Sequence, residues 1–140
     1  MKKIFFLILL LFSFGNSLAQ QVENLFIVSD KGTKSVSALM HEGILYVSIS
    51  ELAEALSINY FENVSTGKVE LKSNYYLLKS SPRNPFIIVT PRSSGTPKVY
   101  QLPTSTYFRG NDTFIPLPFL LDPLEIIVER KLKFEKPNRL

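Results

Sequence analysis

The sequence predicts a small β-rich α+β domain, with two strand-helix-strand repeats packed on a central antiparallel sheet. Three observations predict it. The stretch HEGILYVSISELAEALSIN from His41 is echoed by RGNDTFIPLPFLLDPLEII from Arg109, with Val47 aligned to Ile115 at an offset of 68. Six of the twelve pairs that follow in step are apolar in both copies, and Leu52/Leu120, Leu56/Leu124 and Ile58/Ile126 are identical. Between the copies the chain is rich in β-branched and aromatic residues. Finally, 45% apolar residues and no cysteine mean that a hydrophobic core, not disulfides, must hold the fold.

Taken in order, residues 25–28 and 34–40 read as strands joined through Asp30-Lys31-Gly32. His41-Glu42-Gly43 marks a second turn before a short strand at 44–47. The period then changes. Ile49, Leu52, Ala53 and Leu56 fall at i, i+3, i+4 and i+7, one face of a helix, with Glu51 and Glu54 pointing away. Ser48 and Glu51 form a capping box at its start. Strand patterns return at 58–61, and at 68–72 after a turn over 64–67. They continue at 75–78, 85–90 and 98–102, punctuated by Pro82, Pro91, Pro97 and Pro103. Ser93-Ser94-Gly95-Thr96 has the composition of a hairpin loop. In the second copy, 113–115 reads as a strand, and Leu117, Leu120, Leu121 and Leu124 repeat the helical spacing behind Pro116. Pro123 is expected to end that helix early, leaving 125–129 and 132–134 as closing strands.

Residues 1–19 have the order of an export signal: Lys2 and Lys3, an apolar run over 4–14, then Ser17-Leu18-Ala19 before the expected cut at Gln20. That run is shorter than the roughly 18 residues a spanning helix needs, so no transmembrane span is expected after cleavage. Localisation is then periplasmic or extracellular. The domain is expected over 20–135, with 136–140 a tail or the start of a linker. Removing residues 1–19 lowers the net charge from +4 to +2, because Lys2 and Lys3 leave with it. So weak a positive balance on an exported chain argues against a nucleic-acid partner.

Ile115-Pro116-Leu117, followed by a helix pattern and a strand, and the parallel Val47-Ser48-Ile49 with Leu52-Ala53-Glu54-Ala55-Leu56, resemble the repeat of the copper amine oxidase N-terminal-like (stalk) domain. The similarity covers roughly residues 25–135. Where that family has Gly after each helix, this chain has Ser57 and Glu125. The resemblance implies a non-catalytic exported module that binds no copper. Such modules occur at the N-terminus of cell-wall enzymes such as N-acetylmuramoyl-L-alanine amidases. The implied function is to position a peptidoglycan hydrolase carried on a downstream or separate domain.

The residue inventory gives no catalytic, cofactor or metal site. A zinc or copper centre needs several His or Cys ligands, and this chain has one histidine, His41, in a turn. No Gly-x-Ser-x-Gly elbow is present. Glu51 and Glu54 read as solvated. Asn63-Val64-Ser65 and Asn111-Asp112-Thr113 satisfy the glycosylation rule, which matters only on a eukaryotic secretory route. One set of residues stands out as a candidate binding surface. From residue 71 to 111 there is no acid, but there are six cations, Lys72, Lys79, Arg83, Arg92, Lys98 and Arg109. Aromatic residues, among them Tyr75 and Tyr100, are interleaved with them. Alternation along a strand would send alternate aromatics to the core and the cations to solvent. A shared basic, aromatic face would instead suit peptidoglycan or another anionic wall polymer, which makes a self-standing envelope-binding protein the alternative function.

Overall fold

The computed structural model describes residues 22–137; the expected export signal lies outside them. Strands β1 (Val22–Ser29) and β2 (Gly32–His41) form the first hairpin. Glu42 and Gly43, at φ 49° and 77°, then make a two-residue loop into β3 (Ile44–Ser48). Both residues being left-handed matches the twist of the flanking strands. Helix α1 (Ile49–Leu56) follows without a spacer, and β4 (Asn59–Asn63) leaves it. Next come β5 (Lys68–Lys72), β6 (Tyr76–Ser80), β7 (Phe86–Pro91) and β8 (Lys98–Gln101), a meander of hairpins. The chain closes with β9 (Tyr107–Arg109), β10 (Asp112–Pro116), α2 (Leu121–Val128) and β11 (Lys133–Glu135).

These eleven strands form two antiparallel sheets rather than one central sheet. The six-stranded sheet runs β11-β1-β2-β3-β10-β9 and the five-stranded sheet β4-β5-β6-β7-β8. The central segment expected to support both copies thus builds its own sheet together with β4. The strands that return from the two helices part company: β4 begins the five-stranded sheet, whereas β11 pairs with β1 at the edge of the six-stranded one.

A single apolar cluster joins everything. Val36 and Val47 enter it from the six-stranded sheet, Leu71, Leu78 and Ile87 from the five-stranded sheet, and Leu52 and Leu124 from the helices. Helix α1 packs on β2 and β10, and α2 packs on β6. On the other face of the six-stranded sheet, Leu39, Tyr46 and Phe114 form a smaller buried cluster.

The first helix starts as its sequence dictates: the Ser48 hydroxyl accepts from the Glu51 amide at 3.2 Å. The Glu51 carboxylate does not complete the capping box or point into solvent. It accepts from the Ser37 amide and hydroxyl at 2.5 and 2.7 Å, tying α1 to β2 beside the point where β3 leaves the ladder. Glu54 is exposed, as expected. At the other end Ser57 takes the left-handed position, with Ile58 N–H donating to Ala53 C=O at 2.9 Å and Ser57 N–H to Glu54 C=O at 3.0 Å. That is a Schellman ending in which Ser replaces the usual Gly. Arg130 adds a donor from a distance, its Nη2 lying 3.1 Å from the Leu56 carbonyl.

The second helix departs from expectation. It begins at Leu121 and runs to Val128, so residues 125–128 are helical, not a strand. Leu117 precedes Pro118, which disfavours the helical region for Leu117. Residues 117–120 form a turn instead, closed by Leu120 N–H to Leu117 C=O at 3.0 Å, with Phe119 left-handed. Pro123 does not end the helix, because it stands third in it, where an N–H would have no helical acceptor. The left-handed cap is Glu129, not Glu125. Strand β9 had no expectation; it is three residues long and, among the described residues, paired only with β10.

Leu52 and Leu120 are 0% and 1% exposed. Replacing either with Ala is expected to cost about 2–5 kcal/mol, measured by denaturant unfolding. Ser57→Gly should do the opposite, raising stability by about 1 kcal/mol, because it relieves a left-handed side chain. A Ser57→Gly variant that melts lower than wild type would contradict the described cap.

Candidate functional site

Strand alternation places Tyr60 and Glu62 of β4 on the side of the sheet that faces the core, opposite Leu71 and Val69. A carboxylate at such a position must be hydrogen-bonded. Glu62 is: the Tyr60 hydroxyl donates to it at 2.6 Å and the Thr113 hydroxyl of β10 at 2.8 Å. One residue earlier on β10, the Asp112 carboxylate accepts from the hydroxyls of Ser48 and Ser50, the latter at 2.9 Å. The two carboxylates thereby clip the start of α1 and the end of β4 to the first turn of β10. Burial, then the hydrogen bond to Glu62 and the negative charges of Glu62 and Asp112, hold the Tyr60 phenol well above its ordinary range.

Beside this network lies a cleft of about 390 Å³ between the ends of the two sheets, lined by Glu62, Val64, Thr66, Arg83, Phe108 and Thr113 among others. The β4–β5 turn forms one wall. Asn63 Oδ1 accepts from the Ser65 hydroxyl at 2.7 Å and from the Ser65 and Thr66 amides at 3.1 and 3.2 Å. The β6–β7 turn forms the other wall, where Asn84 Oδ1 accepts from the Phe86 amide at 2.9 Å. The walls meet closely: a side chain on Gly67, at φ +64°, would come within 3.1 Å of the Pro82 ring. Arg83 sits left-handed on its turn at φ 57°, a conformation that costs a non-glycine residue on the order of 1–2 kcal/mol. It is exposed, and its guanidinium has no ion pair or hydrogen bond among the described residues.

The sequence-selected residues do not form one surface. Lys72 and Lys79 share the outward face of the five-stranded sheet, and Lys79 is paired with Glu70 at 3.4 Å. Arg92 is a structural tie, donating from Nη1 to the Ser73 and Asn74 carbonyls at 2.9 and 3.2 Å. Lys98 is exposed on β8 opposite Val89, and Tyr75 is exposed in the β5–β6 turn. Tyr100 packs against the core and borders a second groove of about 590 Å³ along α2, with Asp122, Glu125, Glu129 and Lys131. There the Lys131 ammonium, at 2.8 Å, and the Leu132 amide hold the Glu125 carboxyl below its usual range. Arg109 belongs to β9 in the other sheet, opposite Asp112. His41 stacks on Tyr107, ring centres 4.3 Å apart. Of the candidate cations, Arg83 is the one that lines the inter-sheet cleft.

Sequence reasoning missed Glu62, Thr113 and the role of Asp112. The signal it could have used is a carboxylate at the inward parity of a strand, with Tyr60 and Glu62 alternating against Phe61. Among the described residues, no group of three or more His, Cys, Asp or Glu side chains converges to hold a metal ion. No helix among them is long and apolar enough to cross a membrane. Comparison with protein-family models, curated proteins and solved structures returned no match.

The raised Tyr60 phenol makes a pH prediction. Because its folded pKa exceeds the unfolded value of about 10, its stabilising contribution is complete below pH 10. It is lost as pH rises above that value. The melting temperature should therefore fall with rising pH beyond about 10, and Tyr60→Phe should flatten part of that fall. Parallel curves for the two proteins would show that the Tyr60–Glu62 pair does not bear on alkaline stability.

Proposed function

We propose that this chain is an exported, non-catalytic module of stalk type that positions a peptidoglycan hydrolase, such as an N-acetylmuramoyl-L-alanine amidase activity, carried on another domain or another protein. The observation that carries the reading is the pairing of β3 with β10, in which Val47 stands opposite Ile115. These are the two residues that the internal sequence repeat aligns. Each strand leads to a helix of eight residues that ends on a left-handed non-glycine cap, Ser57 and Glu129. We read the two units as copies of one stalk-type pattern, the second lengthened by the four-residue turn at 117–120. The offset between copies is 68 at the strands and 72 at the helix starts for that reason.

Two further features support a positioning role. One continuous core couples both sheets and both helices, which makes the module rigid enough to fix distances. Strands β1 and β11 lie side by side and antiparallel, so the described chain enters and leaves at one sheet edge. Domains attached there leave the inter-sheet cleft accessible. The residue inventory, with one histidine and no cysteine in the whole sequence, fits a module whose chemistry is performed elsewhere.

A second reading, an envelope protein that itself grips an anionic or glycan wall polymer, is favoured by one observation: Arg83 is exposed at the cleft with no partner among the described residues. The test of the module is co-sedimentation of the purified chain with sacculi, alongside the mass of the native species detected by an antibody to residues 22–137. The expected result is sedimentation, together with a native species heavier than 15.9 kDa or one that co-purifies with amidase activity. A species at or below that mass that neither sediments nor accompanies a hydrolase would overturn the proposal. Arg83→Glu should lower sedimentation severalfold under the second reading and leave it unchanged under the first.

A further inference from the structure

We propose that the cleft between the β4–β5 and β6–β7 turns is a binding site for a carboxylated sugar. The cleft offers three recognition elements. Arg83 presents a guanidinium with no partner among the described residues, and its planar fork matches a carboxylate. Glu62 presents a carboxylate whose oxygens each receive one hydroxyl donor, from Tyr60 and Thr113, and so keep acceptor capacity for ligand hydroxyls. Phe108, 60% exposed, supplies an aromatic surface on which the apolar face of a sugar ring can lie, with Val64 beside it.

The combination selects a class. A neutral sugar would leave the guanidinium unused. A cationic ligand would be repelled by Arg83, and a polyphosphate would bring its charge against Glu62. A ring carrying hydroxyls and one carboxylate satisfies both charged groups and the aromatic one. At about 390 Å³ the cleft is within the size range of small-molecule sites. Its walls are set in advance by the Asn63 and Asn84 side chains and by the close approach of Gly67 to Pro82, so little ordering is left to oppose binding. The proposal rests on the wall-facing reading only in the choice of probe.

The test titrates the purified chain with N-acetylmuramic acid, N-acetylglucosamine and glucuronic acid, following backbone amide shifts of Thr66, Arg83 and Thr106 by NMR. The first two sugars differ by one carboxylate-bearing group. N-acetylmuramic acid is expected to bind at least about tenfold more tightly than N-acetylglucosamine, as a charge-assisted pair allows. Arg83→Gln should erase that preference, and Phe108→Ala should weaken both. Both variants alter exposed side chains and should melt like wild type. Glucuronic acid binding as well as N-acetylmuramic acid would assign the cleft to acidic sugars in general; weaker binding would narrow it to the wall sugar. Equal affinity for the two N-acetyl sugars, binding by none, or an Arg83→Gln protein that discriminates like wild type would each overturn the proposal. Sedimentation with sacculi separates the two ideas. Sedimentation without sugar binding sinks the cleft and leaves the module. Sugar binding without sedimentation upholds the cleft, and the module then stands or falls on whether the native species is heavier than 15.9 kDa or accompanies a hydrolase.

Discussion

Everything in this fold depends on β3 and β10 lying side by side. Without cysteines, only non-covalent contacts bring residues 112–116 against residues 44–48, and this ladder is where the two stretches meet. Closing so long a loop has an entropic cost, and the pair offsets it in two ways. Val47 and Ile115, opposite one another, are both fully buried in the main core. Asp112, at the first position of β10, also takes the hydroxyls of Ser48 and Ser50 where β3 becomes α1. Ser48 therefore serves two partners, capping the helix through Glu51 N–H and donating to Asp112. The strand pair, the helix start and the carboxylate network are one structural decision.

The candidate site follows from that decision. Thr113 comes next after Asp112 and alternates to the other face, where it meets Glu62 of the second sheet. A shift of β10 by one residue would exchange those faces. Asp112 would lose the serines and Glu62 its donor from β10. The same register carries Phe108, opposite Thr113 across the β9–β10 hairpin, to the rim of the cleft. Fold register and site geometry cannot be varied independently here.

What the sequence discloses and what it hides divide along the same line. Local signals were legible: the two-residue loop at Glu42-Gly43, the Ser48 cap, the apolar face of α1, and most strands between 22 and 102 follow from period and turn chemistry. The start of α2 departs from the leucine spacing of 117–124, which satisfies a helical template, because Pro118 disfavours helix at the residue before it. The long-range facts were not legible. Nothing near Glu62 says that Thr113 will face it, and nothing near Arg92 says that its guanidinium will be spent on the carbonyls of residues 73 and 74. Composition gathered six cations into one list; pairing distributed them over two sheets and three roles.

Among the described residues, five other than glycine are left-handed: Glu42, Ser57, Arg83, Phe119 and Glu129. Each has an architectural reason: Glu42 and Arg83 make hairpin turns, Ser57 and Glu129 end helices, and Phe119 turns the chain from β10 into α2. The turn that carries Arg83 is also held by Asn84, whose Oδ1 accepts from the Phe86 amide. The Arg83 side chain is exposed, with no ion pair or hydrogen bond among the described residues, and lines the same cleft as Glu62. Residues held in such conformations cluster at ligand clamps, and the turn conformation sets Arg83 in the lining of the cleft proposed above as a binding site.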